Sequence, residues 1–203
     1  AIADLPGLEQ VELPEPASFE AVVLPMLAEL PDAPQYVAAD LLERLGAWPA
    51  PEVRAAILAR LERRSDTYPR TTALLALAWM PDASIVEALL REVKRPDGHN
   101  RHLAAQILAT MGVREATADI ARLLEDSQAP SHHHSATLEA LAMAADPSAA
   151  PAVAKFLRED LARMTTGDRP SPVRRQAIAT LAVLRAAEYR ELVMEAFDRG
   201  DVY

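Results

Sequence analysis

Five histidines are the residues of this chain whose type and spacing could do chemistry. They form two groups 33 residues apart, His99 with His102, and then His132, His133 and His134. Each group lies at the start of a predicted helix, and stacked helices sit about 8–10 Å apart. Imidazoles from both groups could therefore converge on one metal ion. A solvent-exposed histidine cluster is the alternative, and we predict no bound metal or other cofactor.

Other catalytic groupings are missing from the sequence. The chain has no Cys, so it offers no thiolate nucleophile, disulfide or thiolate metal site. It also has no Gly-rich phosphate loop and no G-x-S-x-G turn around a nucleophilic serine. Paired acids such as Glu125-Asp126 and Glu159-Asp160 fall near the ends of predicted helices, where solvated charge is the ordinary expectation. We predict no catalytic residue, and hence that the protein is not an enzyme.

Charge and composition exclude further classes of partner. The 203 residues carry a formal net charge of −9, whereas a protein that grips nucleic-acid phosphates needs a basic surface. No stretch approaches the 18 or so apolar residues of a membrane span. We therefore expect neither nucleic-acid binding nor membrane insertion. A cytoplasmic location is the default expectation, with export after signal cleavage as the alternative, and the oligomeric state is left open.

Apolar residues recur at fixed spacings and reveal the elements that position these side chains. Positions 33 and then 40 residues apart are equivalent: Leu108, Ile120, Leu123 and Leu124; Leu141, Val153, Phe156 and Leu157; Leu181, Val193, Ala196 and Phe197. Within each set the spacing is that of two amphipathic helices, joined in the first copy by a tight turn at Gly112. A hairpin copied at a regular period predicts a solenoid.

Prolines and glycines delimit eleven predicted helices, which we group as five pairs plus a terminal helix. Ser18 is the expected N-cap of the first, and Pro25 should kink that helix or displace its start. Residues 1–17 are predicted to be an extended Pro-rich arm, either a strap over the first helix or a docking segment, and residues 18–203 the repeat domain. The predicted helices span residues 18–30, 35–45, 52–63, 70–80, 83–94, 100–111, 114–125, 133–145, 148–164, 172–185 and 188–199.

Two segments carry a family resemblance. Residues 101–112, R-H-L-A-A-Q-I-L-A-T-M-G, resemble the inner helix of short bacterial HEAT repeats of the phycobilin-lyase type. Residues 150–157, A-P-A-V-A-K-F-L, resemble the outer helix, and the resemblance covers about residues 18–199. It implies an all-α, right-handed α-α superhelix whose inner helices line a concave face. It implies little about function, because one fold serves many functions.

The resemblance extends to HEAT-repeat enzymes only in part. HEAT-repeat di-iron hydroxylases carry a His-Glu dipeptide at this helix start in several copies. Here Leu103 follows His102, and no His-Glu pair occurs in the chain. A lyase or metal-hydroxylase subunit that uses the histidine cluster is therefore the alternative function. HEAT-like DNA glycosylases need a basic groove, which the acidic balance of this chain does not provide.

One position at the start of each inner helix forms a ladder along the repeats. HEAT repeats commonly carry an arginine there that binds an acidic residue of the adjacent loop, and we expect Asp66, Asp97 and Asp168 to fill that role. The ladder would then brace the loops, and a docking row for phosphate or carboxylate groups is the alternative. Its members are Gln35, Arg70, Arg101, His134 and Arg174.

The side of each inner helix that faces away from its core residues predicts a binding surface. Apolar and small side chains prevail there after a charged first repeat, and exposed apolar strips mark interaction sites. The competing interpretation places Leu75, Trp79 and Met143 in the core. We predict a non-catalytic scaffold that binds a helix or extended peptide of another protein on this face. The predicted partner-binding residues are Tyr36, Asp40, Leu75, Trp79, Gln106, Thr110, Glu139 and Met143.

Overall fold

The computed structural model describes residues 18–63, 67–96, 98–163 and 171–199. This part of the chain is all-helical, without a strand, and the predicted arm of residues 1–17 lies outside it. No helix in the described ranges is both long and apolar enough to span a membrane. The eleven helices are α1 (Phe19–Glu29), α2 (Gln35–Leu45), α3 (Pro51–Leu61), α4 (Thr67–Ala78), α5 (Val86–Val93), α6 (Arg101–Thr110), α7 (Thr117–Arg122), α8 (Ser131–Ala144), α9 (Ala150–Ala162), α10 (Pro172–Val183) and α11 (Arg190–Asp198).

All eleven predicted helices are present, but two begin two or three residues earlier than expected. Helix α4 starts at Thr67 rather than at Arg70, because Pro69 is tolerated in a first turn, where the backbone N–H has no acceptor within the helix. Helix α8 starts at Ser131, directly after Pro130, so the second histidine group lies in its first turn.

Helix α1 was predicted to have Ser18 as its N-cap and to be kinked, or displaced at its start, by Pro25. The Oγ of Ser18 accepts a hydrogen bond from the backbone N–H of Ala21 at 3.1 Å, which confirms the predicted N-cap. Pro25 lies inside the helix and does not displace its start.

Four of the odd-numbered helices are entered through a single turn of 3-10 helix. These turns span Ala83–Ile85, Arg114–Ala116, Pro147–Ala149 and Ala187–Tyr189. Asp82 caps the first, because its carboxylate accepts the backbone N–H of Ser84 at 2.9 Å.

The helices pack in two sets. Even-numbered helices lie beside one another, with α2 against α4, α6 against α8, and α8 against α10, while α4 and α6 meet at fewer points. Odd-numbered helices lie behind them, with α3 against α4, α5 against α6, and α9 against α10. Helices α8 and α10 are in direct contact, because the Thr180 hydroxyl donates a hydrogen bond to the Leu138 carbonyl oxygen at 3.1 Å. The right-handed superhelical winding remains a prediction.

The repeated apolar positions form the core. The leucines that anchor the even-numbered helices, Leu42, Leu77, Leu108, Leu141 and Leu181, are all buried. Most of the other repeated positions are buried as well. Phe197 is an exception, because it is exposed although its equivalents Leu124 and Leu157 are buried.

The turn that follows each even-numbered helix changes along the chain. Equivalent positions are Gly46, Pro81, Gly112, Ala145 and Arg185. Gly112, Ala145 and Arg185 have left-handed backbone, with φ of 72°, 48° and 54°. The tight turn predicted at Gly112 is confirmed. Gly46, by contrast, keeps right-handed helical dihedrals with φ of −57°.

Candidate functional site: the exposed face of the even-numbered helices

The eight predicted partner-binding residues lie on successive even-numbered helices. Large apolar members are exposed, with Tyr36 at 82%, Trp79 at 79%, Leu75 at 48% and Met143 at 47% of full accessibility. Leu75, Trp79 and Met143 are therefore surface residues, not core. Asp40, Thr110 and Glu139 are exposed as well, and Gln106 is half-buried. We call the exposed surface of the even-numbered helices, on which these eight residues lie, the even-helix face.

Two contacts join neighbouring helices across this face. The side-chain amide of Gln106 on α6 donates to the carboxylate of Glu139 on α8 at 3.3 Å. The rings of Tyr36 on α2 and Tyr68 on α4 have their centroids 5.9 Å apart. The first contact joins equivalent positions of adjacent repeats, whereas Tyr68 lies three residues before Thr71, the equivalent of Tyr36.

The even-helix face includes two residues beyond the predicted set. Tyr68 is exposed and was missed because sequence analysis placed it in a turn before α4; its signal is the Tyr-Pro pair, which fits a first helical turn. Val183, at the end of α10, is exposed too and occupies the position equivalent to Trp79 and Met143. The apolar surface therefore reaches from α2 to α10.

Charge is distributed unevenly over the face. Asp40 and Glu43 are exposed on α2, and Arg44 neutralises part of that charge through an ion pair with Asp40 at 3.6 Å. Arg175 is exposed on α10, at the opposite end. The face thus runs from an acidic end to a basic one.

The histidines meet at the starts of α6 and α8, as predicted, but they form a stack. The ring of His102 lies on that of His133 with centroids 4.1 Å apart and planes inclined by 24°, and His132 abuts His133 edge-on at 4.4 Å. Burial, then the neighbouring His133, His132 and Arg101, lower the pKa of His102 to about 4. Burial, and then the neighbouring His132, Arg101, His99 and His134, also lower the pKa of His133.

This arrangement does not gather ligands for a metal. The nitrogen lone pairs of an imidazole lie in the ring plane, so stacked rings do not aim them at a common point. His134 is turned away, with Nε2 3.0 Å from the carbonyl oxygen of Asp126. In the described ranges, no three His, Asp or Glu side chains are grouped so that they could hold a metal ion.

Three arginines of the ladder pair with acids at or beyond the ends of odd-numbered helices; Arg70 and Arg174 are buried, and Arg101 is half-buried. Arg70 donates to Glu92 at 2.8 Å, and Arg101 donates to Asp126 at 2.6 Å. Arg174 donates to Asp160 at 2.7 Å. Arg101 is also the main cause of the lowered pKa of Asp126. The acids that we expected as partners, Asp66, Asp97 and Asp168, lie outside the described residues.

A further buried arginine was not anticipated. Arg60, near the end of α3, donates to the carbonyl oxygens of Leu30, Pro31 and Ala33 at 2.9–3.1 Å. These carbonyls follow the end of α1, where helix geometry leaves acceptors without intrahelical donors. Together with the ladder, this contact favours a bracing role over an anion-docking row.

Comparison with family models finds no match, and comparison with curated proteins finds none either. Functional inference therefore rests on the residues of the chain and their geometry.

Proposed function

We propose that this chain is a non-catalytic scaffold of the HEAT-repeat type, and that its even-helix face is concave and binds a helix or extended segment of another protein. The observation that carries the proposal is the exposure of Tyr36, Leu75, Trp79 and Met143 along one face. Large apolar side chains exposed to water along one face of several helices are typical of an interaction site.

The packing supports the HEAT-repeat assignment. Two layers of alternating helices with a largely buried residue ladder between them are what stacked helix pairs require. The ladder pairs Arg70, Arg101 and Arg174 with carboxylates of the neighbouring layer. Its burial and pairing fit a joint between layers, which leaves the even-helix face free for a partner.

The face also suggests what the partner segment looks like. Equivalent positions on adjacent helices recur about every 8–10 Å, so a linear segment would meet apolar anchors at regular intervals. Trp79 is the largest of them. Asp40 and Glu43 favour basic residues at the α2 end of the segment, and Arg175 favours an acidic residue at the α10 end.

Capture of partners from a lysate of the native organism tests the proposal. We expect Trp79→Ala to weaken capture by about 2 kcal/mol or more, because Trp79 is the largest candidate anchor. Glu139→Arg should weaken it by reversing a charge on the same face. The control is Met194→Ala, an exposed apolar residue on α11 of the other layer.

The outcome that refutes the proposal is simple. If Trp79→Ala and Glu139→Arg stay folded by circular dichroism and retain every partner that the unaltered protein captures, the even-helix face is not the binding surface. Loss of capture by Met194→Ala alone would place binding on the odd-numbered layer.

The alternative, an enzyme that uses the histidine cluster, has its own test. An enzyme of the metal-hydroxylase type must retain metal through purification without an affinity tag. We expect elemental analysis to find less than stoichiometric metal and chelator to leave Tm unchanged. Stoichiometric metal together with a Tm lowered by chelator would favour the enzyme.

A further inference from the structure

The two last helices leave an apolar groove that belongs to a surface other than the even-helix face. It has a volume of about 470 Å³ and lies between α10, α11 and the turn that joins them. Ile178 and Leu181 of α10 and Val193 and Phe197 of α11 supply its apolar lining, and Arg185 and Arg190 also line it. We call these six residues the C-terminal groove.

The repeat shows what covers such a groove. Forty residues earlier, the equivalents of Ile178, Leu181, Val193 and Phe197 are Leu138, Leu141, Val153 and Leu157. All four equivalents are fully buried. The helix pair that carries them, α8 and α9, is followed by α10, which packs against both. One repeat later the same surface has Phe197 at 41% exposure, and no described helix stands where α10 stood.

The direction of a helix placed there follows from the same comparison. Arg174, in the first turn of α10, donates to Asp160 near the end of α9, so α10 begins where α9 ends. A helix in the C-terminal groove would begin near the end of α11. Its last turn would then lie beside Arg185, in the turn between α10 and α11, and beside Arg190, the first residue of α11.

Those two arginines specify charge. Their equivalents one repeat earlier are Ala145 and Ala150, so the internal α8–α9 surface carries no charge at these points. In the C-terminal groove both arginines are exposed. Two guanidinium groups beside an apolar surface favour carboxylates on whatever docks there.

We propose that the C-terminal groove binds an amphipathic α-helix of a partner protein, which packs as α10 packs on α8 and α9 and carries acidic residues in its last turn. The apolar stripe of this helix contacts Ile178, Val193 and Phe197 above the buried Leu181, while its carboxylates pair with Arg185 and Arg190. The site is separate from the even-helix face and could hold a second partner at the same time.

Two synthetic peptides serve as probes. Both have the sequence of residues 171–184, which contains α10, and they end in Glu-Glu or in Lys-Lys. We expect fluorescence anisotropy at low salt to show that the acidic peptide binds at least ten times more tightly than the basic one. Equal binding of the two peptides, or no binding of either at millimolar concentration, would overturn the proposal.

Protein variants locate the binding. Phe197→Asp should weaken binding of the acidic peptide at least tenfold, whereas Met194→Asp, which alters an exposed residue of α11 outside the groove, should not. The double variant Arg185→Glu, Arg190→Glu should instead prefer the basic peptide, a reversal that a folding defect cannot mimic. An unchanged preference in that variant contradicts the proposed polarity.

Two further measurements distinguish this groove from the even-helix face and a partner helix from a second copy of the chain. Trp79→Ala should bind the acidic peptide normally, so failure of the scaffold proposal and failure of this one are distinguishable. We expect analytical ultracentrifugation to show that the protein alone is monomeric. If it self-associates and Phe197→Asp abolishes the self-association, the occupant of the groove is a second copy of the chain, and the proposal of a partner helix is wrong.

Discussion

His102 and His133 are neutral at pH 7 because their surroundings disfavour a charge. The two rings are stacked, and burial with nearby cationic groups lowers the pKa of both. The groups that face the stack are Arg101, His99, His132 and His134, while Asp126 is engaged by Arg101. Protonation of one ring would place a charge beside its partner in a half-buried site.

This gives a pH dependence of stability with a defined sign. The folded pKa of His102 is about 4, below the ordinary value of 6.5, so the unfolded chain binds its proton first. Stability from this site is therefore complete above pH 6.5 and declines as pH falls toward 4. We expect the loss of unfolding free energy between pH 6.5 and pH 4 to be about 1 kcal/mol smaller in His102→Gln than in the unaltered protein, after allowance for solvent screening.

Thermal melts of the two proteins at pH 7.5, 6, 5 and 4 test this, with His99→Gln, an exposed residue of the same cluster, as the control. Parallel pH profiles for the unaltered protein and His102→Gln would contradict the predicted role of His102.

The histidine cluster and the arginine ladder were predicted from the sequence, but the side chains that they contact were not. A period of 33 aligns His99 with His132 and His102 with Ser135, yet His102 contacts His133, because long side chains reach across the gap between two helices at an angle. Arg101 likewise finds Asp126. Repeat period fixes which backbone positions are neighbours, whereas rotamers decide which side chains touch.

Buried ion pairs connect the two layers of helices. Arg70 at the start of α4 and Glu92 at the end of α5 are both buried and 2.8 Å apart. Such a pair contributes little net stability relative to an apolar replacement, but removing one member leaves an uncompensated charge. The pair thus fixes how α4 and α5 are registered more than it adds stability.

We expect Arg70→Ala to lower the free energy of unfolding by about 3 kcal/mol or more, as measured by urea denaturation. The control is Arg91→Ala on α5, whose exposed pairs with Glu62 and Glu87 should contribute little. The double variant Arg70→Met, Glu92→Leu should recover most of the loss. Equal effects of Arg70→Ala and Arg91→Ala would show that burial of the pair is unimportant.

Helices themselves were the most predictable feature of the chain. Their existence depends on local periodicity and on proline and glycine at the junctions, both of which are visible in sequence. The errors fell at Thr67 and Ser131, where proline permits a helix to begin earlier than its apolar pattern does. The sequence left open whether Leu75, Trp79 and Met143 are exposed or buried. If the boundary of the buried side of a helix is misplaced by one residue, a core position is assigned to the surface or the reverse.

At the scale of the molecule, contacts are mostly between neighbours in the array. Helix α6 has packed neighbours on several sides, whereas α11, the last described helix, has fewer. The stability of such an array is the sum of the stabilities of its units and of the interfaces between them. A destabilising substitution at the centre should therefore affect more helices than one at an end.

We expect Leu108→Ala in α6 to destabilise the whole protein by about 2–5 kcal/mol, because it opens a cavity in the central core. Leu192→Ala in α11 should instead open the terminal pair locally. Hydrogen exchange with mass spectrometry distinguishes them: the first should lose protection throughout α4–α10, the second mainly in α10 and α11. Uniform loss in both variants would indicate one cooperative unit.

The left-handed turn residues Gly112, Ala145 and Arg185 have a consequence for how such a chain changes length. Because all three end an even-numbered helix in the same backbone conformation, residues 113–145 form a unit whose two boundaries match. A duplicated or deleted copy of this unit would meet compatible geometry on both sides, which Pro81, with φ fixed near −65°, would not provide. The C-terminal half of the array can therefore grow or shrink by whole hairpins, and each hairpin gained lengthens the even-helix face by one helix.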